Sequence, residues 1–264
     1  MTKDILNETE LNDRLQKKNC NIRTLVLEEC VSTNTLARQI AIDSPNESAL
    51  IVARRQTGGR GRMGRSFHSP AETGVYFSIL FPQKGTLSDA LGITCAAAVA
   101  VMRAILSTTG IQTKIKWVND LLLNEKKICG ILTEAVTLGD RSSLIVGIGI
   151  NLRPMEFPAE LADIAGSLNQ ADLPRAELIA EITANLLPYL QNASDNRWLE
   201  DYRRHSCVLG KEILRIENGV SKPCIAEELD HRGRLAVRYP DGSREIVQSG
   251  EISIRLNQSP THAL

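Results

Sequence analysis

Apolar and polar positions along the chain predict a mixed order of helices and strands as far as residue 207, and short strands alone beyond it. An amphipathic pattern over 11–18 predicts a first helix. TLVLEEC at 24–30 then reads as a strand, and Ser32-Thr33-Asn34 supplies helix-start chemistry ahead of LARQIA. ALIVA at 49–53 is a short buried strand and VYFSILF at 75–81 another, with Pro82 and Gly85 closing the latter and a polar loop over 54–73 between them. The longest helical run is 87–106, whose alanines predict close packing against a sheet. Strands follow at 115–118, 121–123, 128–132 and 143–150, the middle two joined by a hairpin at 124–126. Helices are expected over 175–190, kinked or ended by Pro188, and over 197–204. From Val208 five β-like pieces (EILRI, CIAEEL, LAVRY, REIVQ, EISIRL) alternate with turns such as Pro240-Asp241-Gly242, which predicts a small barrel and a domain boundary near residue 207.

Charge narrows the field. Thirty-one basic residues balance 31 acidic ones, so the basic excess of a general nucleic-acid or membrane binder is missing and any positive site must be a local concentration. The acid-containing N-terminus does not read as a signal peptide. No later stretch reads as long and apolar enough to span a bilayer, so the expectation is a cytoplasmic protein with no membrane partner. Six cysteines and four histidines are scattered without a C-x-x-C pair; they read as small buried thiols and not as a zinc framework.

That local concentration lies at 54–65, RRQTGGRGRMGR, which holds five arginines and no acid. Planar guanidinium forks suit carboxylate and phosphate oxygens, and interleaved glycines let backbone N–H groups approach an anion. The same glycines predict a loop that is mobile when empty and ordered by its ligand. Gly59-x-Gly61-x-x-Gly64 spells the dinucleotide fingerprint, but the following RSFHSP offers no helix and that reading is rejected. An RNA-binding RGG segment would repeat and carry aromatics, and a merely solvated basic loop would not be so dense in arginine.

Lys116-Trp117-Val118-Asn119-Asp120 sits between strands, ahead of Lys126 and Lys127. Asn119 and Asp120 are costly to bury unless they bind something, although Asn-Asp is also a good turn pair. Two glycines in the strand GIGIN, 147–151, point to close approach by a ligand or another backbone. Ser32-Thr33-Asn34 is balanced between helix capping and a direct polar role.

In order and spacing, STN at 32–34, QTGGRGRMGR at 56–65, KWVNDLLL at 116–123, KKICGILTE at 126–134 and GIGIN at 147–151 resemble the biotin–protein ligase family, across roughly 24–256. The resemblance implies an α+β fold: a class II synthetase-like catalytic domain over 1–207, its mixed sheet flanked by helices, then an SH3-like barrel over 208–264. It implies an enzyme that joins biotin to ATP as biotinoyl-5'-AMP, with Mg2+, and transfers the biotinoyl group to a lysine of a biotin carboxyl carrier domain. Ser32, Thr33, Asn34, Gln56, Arg60, Gly61, Arg62, Lys127, Gly130, Leu132 and Gly149 correspond to biotin contacts. Arg62, Arg65, Lys116, Trp117, Asn119, Asp120 and Asn151 correspond to the nucleotide side. Lys127, Arg62 and Asp120 are the catalytic candidates, with Asp120 toward the metal. Two departures stand out: valine at 118 where the family has proline, and no tryptophan over 153–167, where Phe157 is the substitute at hand. With only about two dozen residues ahead of the resemblance, a helix-turn-helix domain and DNA binding are not expected. A monomer and a homodimer stay open, and a lipoate ligase is the nearest alternative enzyme.

Overall fold

The computed structural model describes residues 4, 6–83, 90–217, 219–248 and 250–253. Seven strands form the central sheet: β1 (Arg23–Cys30), β2 (Ala49–Gln56), β3 (Gly74–Gln83), β4 (Lys114–Lys116), β5 (Asp120–Leu123), β6 (Lys126–Leu138) and β7 (Arg141–Asn151). Their order is β1-β2-β3-β7-β6-β5-β4, with β1 and β2 parallel and every other pair antiparallel. Strand alternation splits the core in two. Leu50, Val52, Ile79, Leu144 and Val146 face a large cluster, whereas Ile51, Leu80 and Ile145 face a small one with Ala37 and Ala41 of α2 (Thr33–Asp43).

The large cluster is roofed by α3 (Ala90–Thr109) and α4 (Arg175–Gln191), with α1 (Glu8–Lys17) against α4 and α5 (Trp198–His205) against α3. Ala96, Ala97, Ala98, Ala100 and Ala104 are fully buried, and small side chains let α3 lie close to its neighbours. Leu91–Thr109 is in fact long and apolar enough to cross a membrane, contrary to the sequence expectation. It is the core helix, with 72% of the span buried inside the protein. Residues 87–89 of the expected helix lie outside the described residues.

Several boundaries differ from expectation. Pro82 does not close β3, which runs on to Gln83 beside Ser142 of β7. The β2 partner starts at Ala49, opposite Leu80, so one flank beyond it has no partner strand and tolerates a residue without an N–H. Pro188 does not end α4 either. It sits in the last turn, and the helix stops three residues later, where Asn192 donates to the Pro188 carbonyl. Finally, β6 and β7 are far longer than the apolar runs that announced them, and the 115–118 strand shrinks to β4 because Trp117 to Asn119 form a turn.

A second, antiparallel sheet is made of β8 (Glu212–Glu217), β9 (Val220–Leu229), β10 (Leu235–Arg238), β11 (Arg244–Val247) and β12 (Glu251–Ser253), in the order β11-β10-β9-β8-β12. It is seated on the first: the Trp117 indole N–H donates to Gly233 O at 3.0 Å, and Arg203 Nε to Leu229 O at 3.1 Å. Residues 254–256 of the last expected strand are outside the described residues.

The start of the chain is held by charge. Asp4 accepts from Arg153 and from the buried Arg175, the latter at 2.6 Å, and Glu72 is a second partner of Arg175 at 2.9 Å. Asp4→Ala strips one partner from a buried guanidinium while Glu72 remains. We expect a loss of about 2 kcal/mol in urea unfolding, with the slope unchanged.

Candidate active site

One cavity opens where the C-terminal end of β2, the start of α2, the β4–β5 turn, the first half of β6 and the later part of β7 meet. Ser32, Thr33, Asn34, Gln56, Arg60, Gly61, Arg62, Arg65, Lys116, Trp117, Asn119, Asp120, Lys127, Gly130, Leu132 and Gly149 all line it. These are sixteen of the residues singled out from sequence, drawn together from five separate segments. Asn151 is not among the lining residues. It is buried two residues beyond Gly149, where its Nδ2 donates to Gly166 O at 2.9 Å and its own carbonyl accepts from Leu168 N. Phe157 does not line the cavity either.

One end is polar and tightly connected. Ser32 takes the N-cap position of α2, yet its side chain makes no capping bond, so capping is not what the STN segment supplies. Instead Thr33 and Asn34 turn inward and are buried. Gln56 Oε1 accepts from Thr33 N at 2.8 Å and Thr33 Oγ1 at 3.2 Å. Ser78 Oγ lies 2.7 Å from Thr33 Oγ1 and 2.6 Å from Asn34 Oδ1. Asn34 Nδ2 donates to Glu134 Oε2 at 2.8 Å and Leu132 O at 3.2 Å. Sequence reading missed Ser78 and Glu134. The available signal was one hydroxyl inside the apolar strand VYFSILF and one acid in the largely apolar run ICGILTEAV.

Side chains pack closely against both glycines of β7, which also line the cavity. A Cβ on Gly147 would fall 2.0 Å from Asn34 Oδ1, and one on Gly149 would fall 2.6 Å from the Phe67 ring. Phe67, with Met63, Ser66, Ile131 and Ile148, completes the wall without having been named as a site residue, and Gly147, one of the two glycines flagged in GIGIN, joins it. So do Gly250 and Ile252, contributed by the second sheet.

The other end is ionic, but less uniformly than the composition of 54–65 suggested. Arg54 and Arg55 belong to β2 and leave the cavity: Arg54 bonds Leu6 O and Glu28, and Arg55 pairs with Glu29 at 2.9 Å. Three of the five arginines remain. Arg60 lies 3.8 Å from Glu134, and Arg62 donates to Asn119 Oδ1 at 3.2 Å and to Gly250 O at 3.3 Å. The loop itself is short, an Arg60–Ser66 bridge around a single turn, Arg62–Gly64, with Met63 at φ 57°. Lys127 Nζ pairs with Asp120 Oδ1 at 2.7 Å. The Lys127 backbone is held on both sides, its N–H by Ile164 O and its carbonyl by Gly166 N. The expected hairpin before it is present, with Asn124 and Glu125 at φ 49° and 64° as a tight two-residue turn requires.

The thiols take no part. Burial pushes the Cys129 thiol far above its usual range and that of Cys30 up to about 11. All six cysteines are free. A site without a thiolate or a lining histidine, but with cations at one end and a neutral hydrogen-bonding cluster at the other, suits a ligand with an anionic end and a polar, uncharged head.

Comparison with known proteins agrees with this architecture. The family model described as the biotin/lipoate A/B protein ligase family matches residues 27–151. The biotin–[acetyl-CoA-carboxylase] ligase of Paracoccus denitrificans is 32% identical over 84% of this chain and 96% of its own length. The bifunctional ligase/repressor BirA of Bacillus subtilis is 42% identical over 67% of this chain, and the match spans 56% of that relative's length. Among solved structures, the Aquifex aeolicus biotin protein ligase in complex with biotin and ATP superposes with a TM-score of 0.71, at 28% identity over 88% of this chain and 98% of that one. The chain belongs to the biotin/lipoate A/B protein ligase family.

Proposed function

We propose that the protein is an ATP-dependent biotin–protein ligase. It forms biotinoyl-5'-AMP and passes the biotinoyl group to a lysine on the biotin carboxyl carrier domain of a carboxylase. The observation that carries this is the two-ended cavity: a neutral relay of Thr33, Asn34 and Gln56, backed by Ser78, at one end, and Lys127 with Arg62 and Arg65 at the other. Residues 1–207 are then the catalytic unit, and 208–264 an SH3-like barrel whose Gly250 and Ile252 close one wall. A cytoplasmic location fits an enzyme that consumes ATP.

In the first step a biotin carboxylate oxygen attacks the α-phosphorus of ATP and pyrophosphate leaves. Both reactants are anions, so the barrier is charge repulsion, and a site for this step needs fixed cations more than a base. Lys127 stands where the carboxylate and the α-phosphate meet, and Arg62 and Arg65 face the phosphates. Lys116, Trp117 and Asn119 line the nucleotide side. Asn151, set behind the wall, holds the segment at 166–168 beside the site. Mg2+ enters with ATP as part of the substrate. Asp120 is the one carboxylate among the lining residues, and the described residues hold no cluster of three metal-binding side chains. One carboxylate plus phosphate oxygens is a donor set that suits Mg2+, which would spread the α-phosphate charge. In the second step the neutral amine of the acceptor lysine attacks the mixed anhydride carbonyl, and AMP leaves with a proton released.

Incubating the protein with ATP, Mg2+ and either biotin or lipoate tests the reading. Pyrophosphate release with biotin alone, and biotin transfer to an apo carrier domain, is the expected result. Release with lipoate alone would reassign the enzyme. Gly147→Ala is expected to displace the Asn34 amide and weaken biotin binding by roughly thirtyfold, about 2 kcal/mol, in calorimetry. A change under threefold would remove Asn34 from the biotin site.

A further inference from the structure

We infer that Glu134 is a specificity-determining positioning residue: it sets the direction of a hydrogen-bond relay, so that the Thr33 hydroxyl meets the ligand as an acceptor for a urea-type N–H. This rests on the biotin reading of the cavity. Glu134 itself does not line the cavity. It is mostly buried behind it, with Arg38 Nη2 at 3.3 Å and Arg60 Nη1 at 3.8 Å from Oε1. A carboxylate between two guanidinium groups has only lone pairs to offer. Its Oε2 therefore takes a proton from Asn34 Nδ2, 2.8 Å away, and the second Nδ2 proton goes to Leu132 O.

The rest follows from proton counting. With both N–H bonds of the Asn34 amide spent toward β6, Oδ1 is the atom that faces Ser78, and it accepts at 2.6 Å. Ser78 has one proton and has now used it. At Thr33, 2.7 Å from Ser78 Oγ and 3.2 Å from Gln56 Oε1, the hydroxyl then finds only lone pairs on its protein side. Its proton is held inward, and a lone pair is left for the cavity. Gln56 Oε1 is already committed to Thr33 N–H and Oγ1, while its Nε2 donates to Ser69. A buried hydroxyl with its proton turned inward rewards an N–H on the ligand and repels an oxygen put in its place. The cyclic urea of biotin presents such N–H groups. Without Glu134, the Asn34 amide is free to turn over and donate to Ser78. Ser78 then donates to Thr33, and the Thr33 proton, left with Gln56 Oε1 at 3.2 Å as its one inward acceptor, is more readily given to the ligand.

Calorimetric binding of biotin and of its two cyclic carbamate analogues, each with one ureido N–H replaced by a ring oxygen of similar size, tests this on the full chain. Wild type is expected to bind at least one analogue 100-fold or more weaker than biotin. In Glu134→Ala that penalty falls at least tenfold and biotin itself weakens at least tenfold. Ser78→Ala, which removes one buried oxygen and none of the lining atoms, is expected to lower the same penalty and serves where the first variant does not fold. Restoration of the wild-type ratio in Glu134→Asp would accord with a carboxylate acting as pure acceptor. If the analogue-to-biotin ratio stays within twofold of wild type in Ser78→Ala and in any folded Glu134→Ala, the relay is wrong, although biotin binding stands. If the wild type binds no biotin, the biotin reading falls and the inference with it.

Discussion

Replacing Lys127 by glutamine is expected to lower biotin-dependent ATP–pyrophosphate exchange by about 10³-fold. Two reactants of like charge must approach within bonding distance, and a fixed cation between them counts for far more in a closed cavity than in water. Lys127 is well placed for this because its main chain is pinned from both sides, by Ile164 O and Gly166 N, while its ammonium group already faces Asp120 at 2.7 Å. Glutamine, one bond shorter, stays polar and removes the charge. Stability should change little, because the ammonium is over a third exposed and its pair with Asp120 is screened accordingly. Biotin affinity should fall less than the exchange rate, since the polar head is bound at the opposite end. An exchange rate within threefold of wild type, in protein that unfolds at the usual urea concentration, would remove Lys127 from the chemistry.

Arg62→Gly is expected to uncouple making the adenylate from keeping it. The Arg62 guanidinium ties three parts of the site together: its own loop, Asn119 in the β4–β5 turn, and Gly250 beside the second sheet. Losing two charge-assisted bonds, about 3 kcal/mol in all, should speed escape of biotinoyl-AMP by roughly 10²-fold. Adenylate formation should persist, because Lys127, Arg60 and Arg65 remain. Rapid-quench sampling with radiolabelled ATP, followed by filtration, separates free adenylate from bound. Normal retention in the variant would show that the loop does not hold the intermediate. The fold is expected to survive, since Arg62 lies in the 62–64 turn and is not part of the hydrophobic core.

Much of this was legible in the chain itself, for identifiable reasons. Alternating apolar runs such as ALIVA and the alanine-rich stretch before Leu106 declare strands and a buried helix, because burial periodicity is a local property. The site segments were also visible, since arginine between glycines and Lys-Trp-Val-Asn-Asp are unusual in any structural role. Others were invisible. Ser78 reads as an ordinary strand residue and Glu134 as one acid among many. Their importance arises only because β3 and β6 flank β7 and so bring Ser78 and Glu134 to the two ends of the Asn34 amide.

Local sequence, then, determined which elements form and which segments carry unusual chemistry, since period and composition act over a few residues. Tertiary packing decided which charges count. Arg54 and Arg55, in the same run as Arg60 and Arg62, are drawn away by Leu6 O, Glu28 and Glu29, while Gly250 and Ile252, some 190 residues downstream of Arg62, are brought to the wall. The reason is physical: a side chain's direction is set by its own backbone, but its neighbours are set by strand order. Strand order depends on contacts across the whole chain.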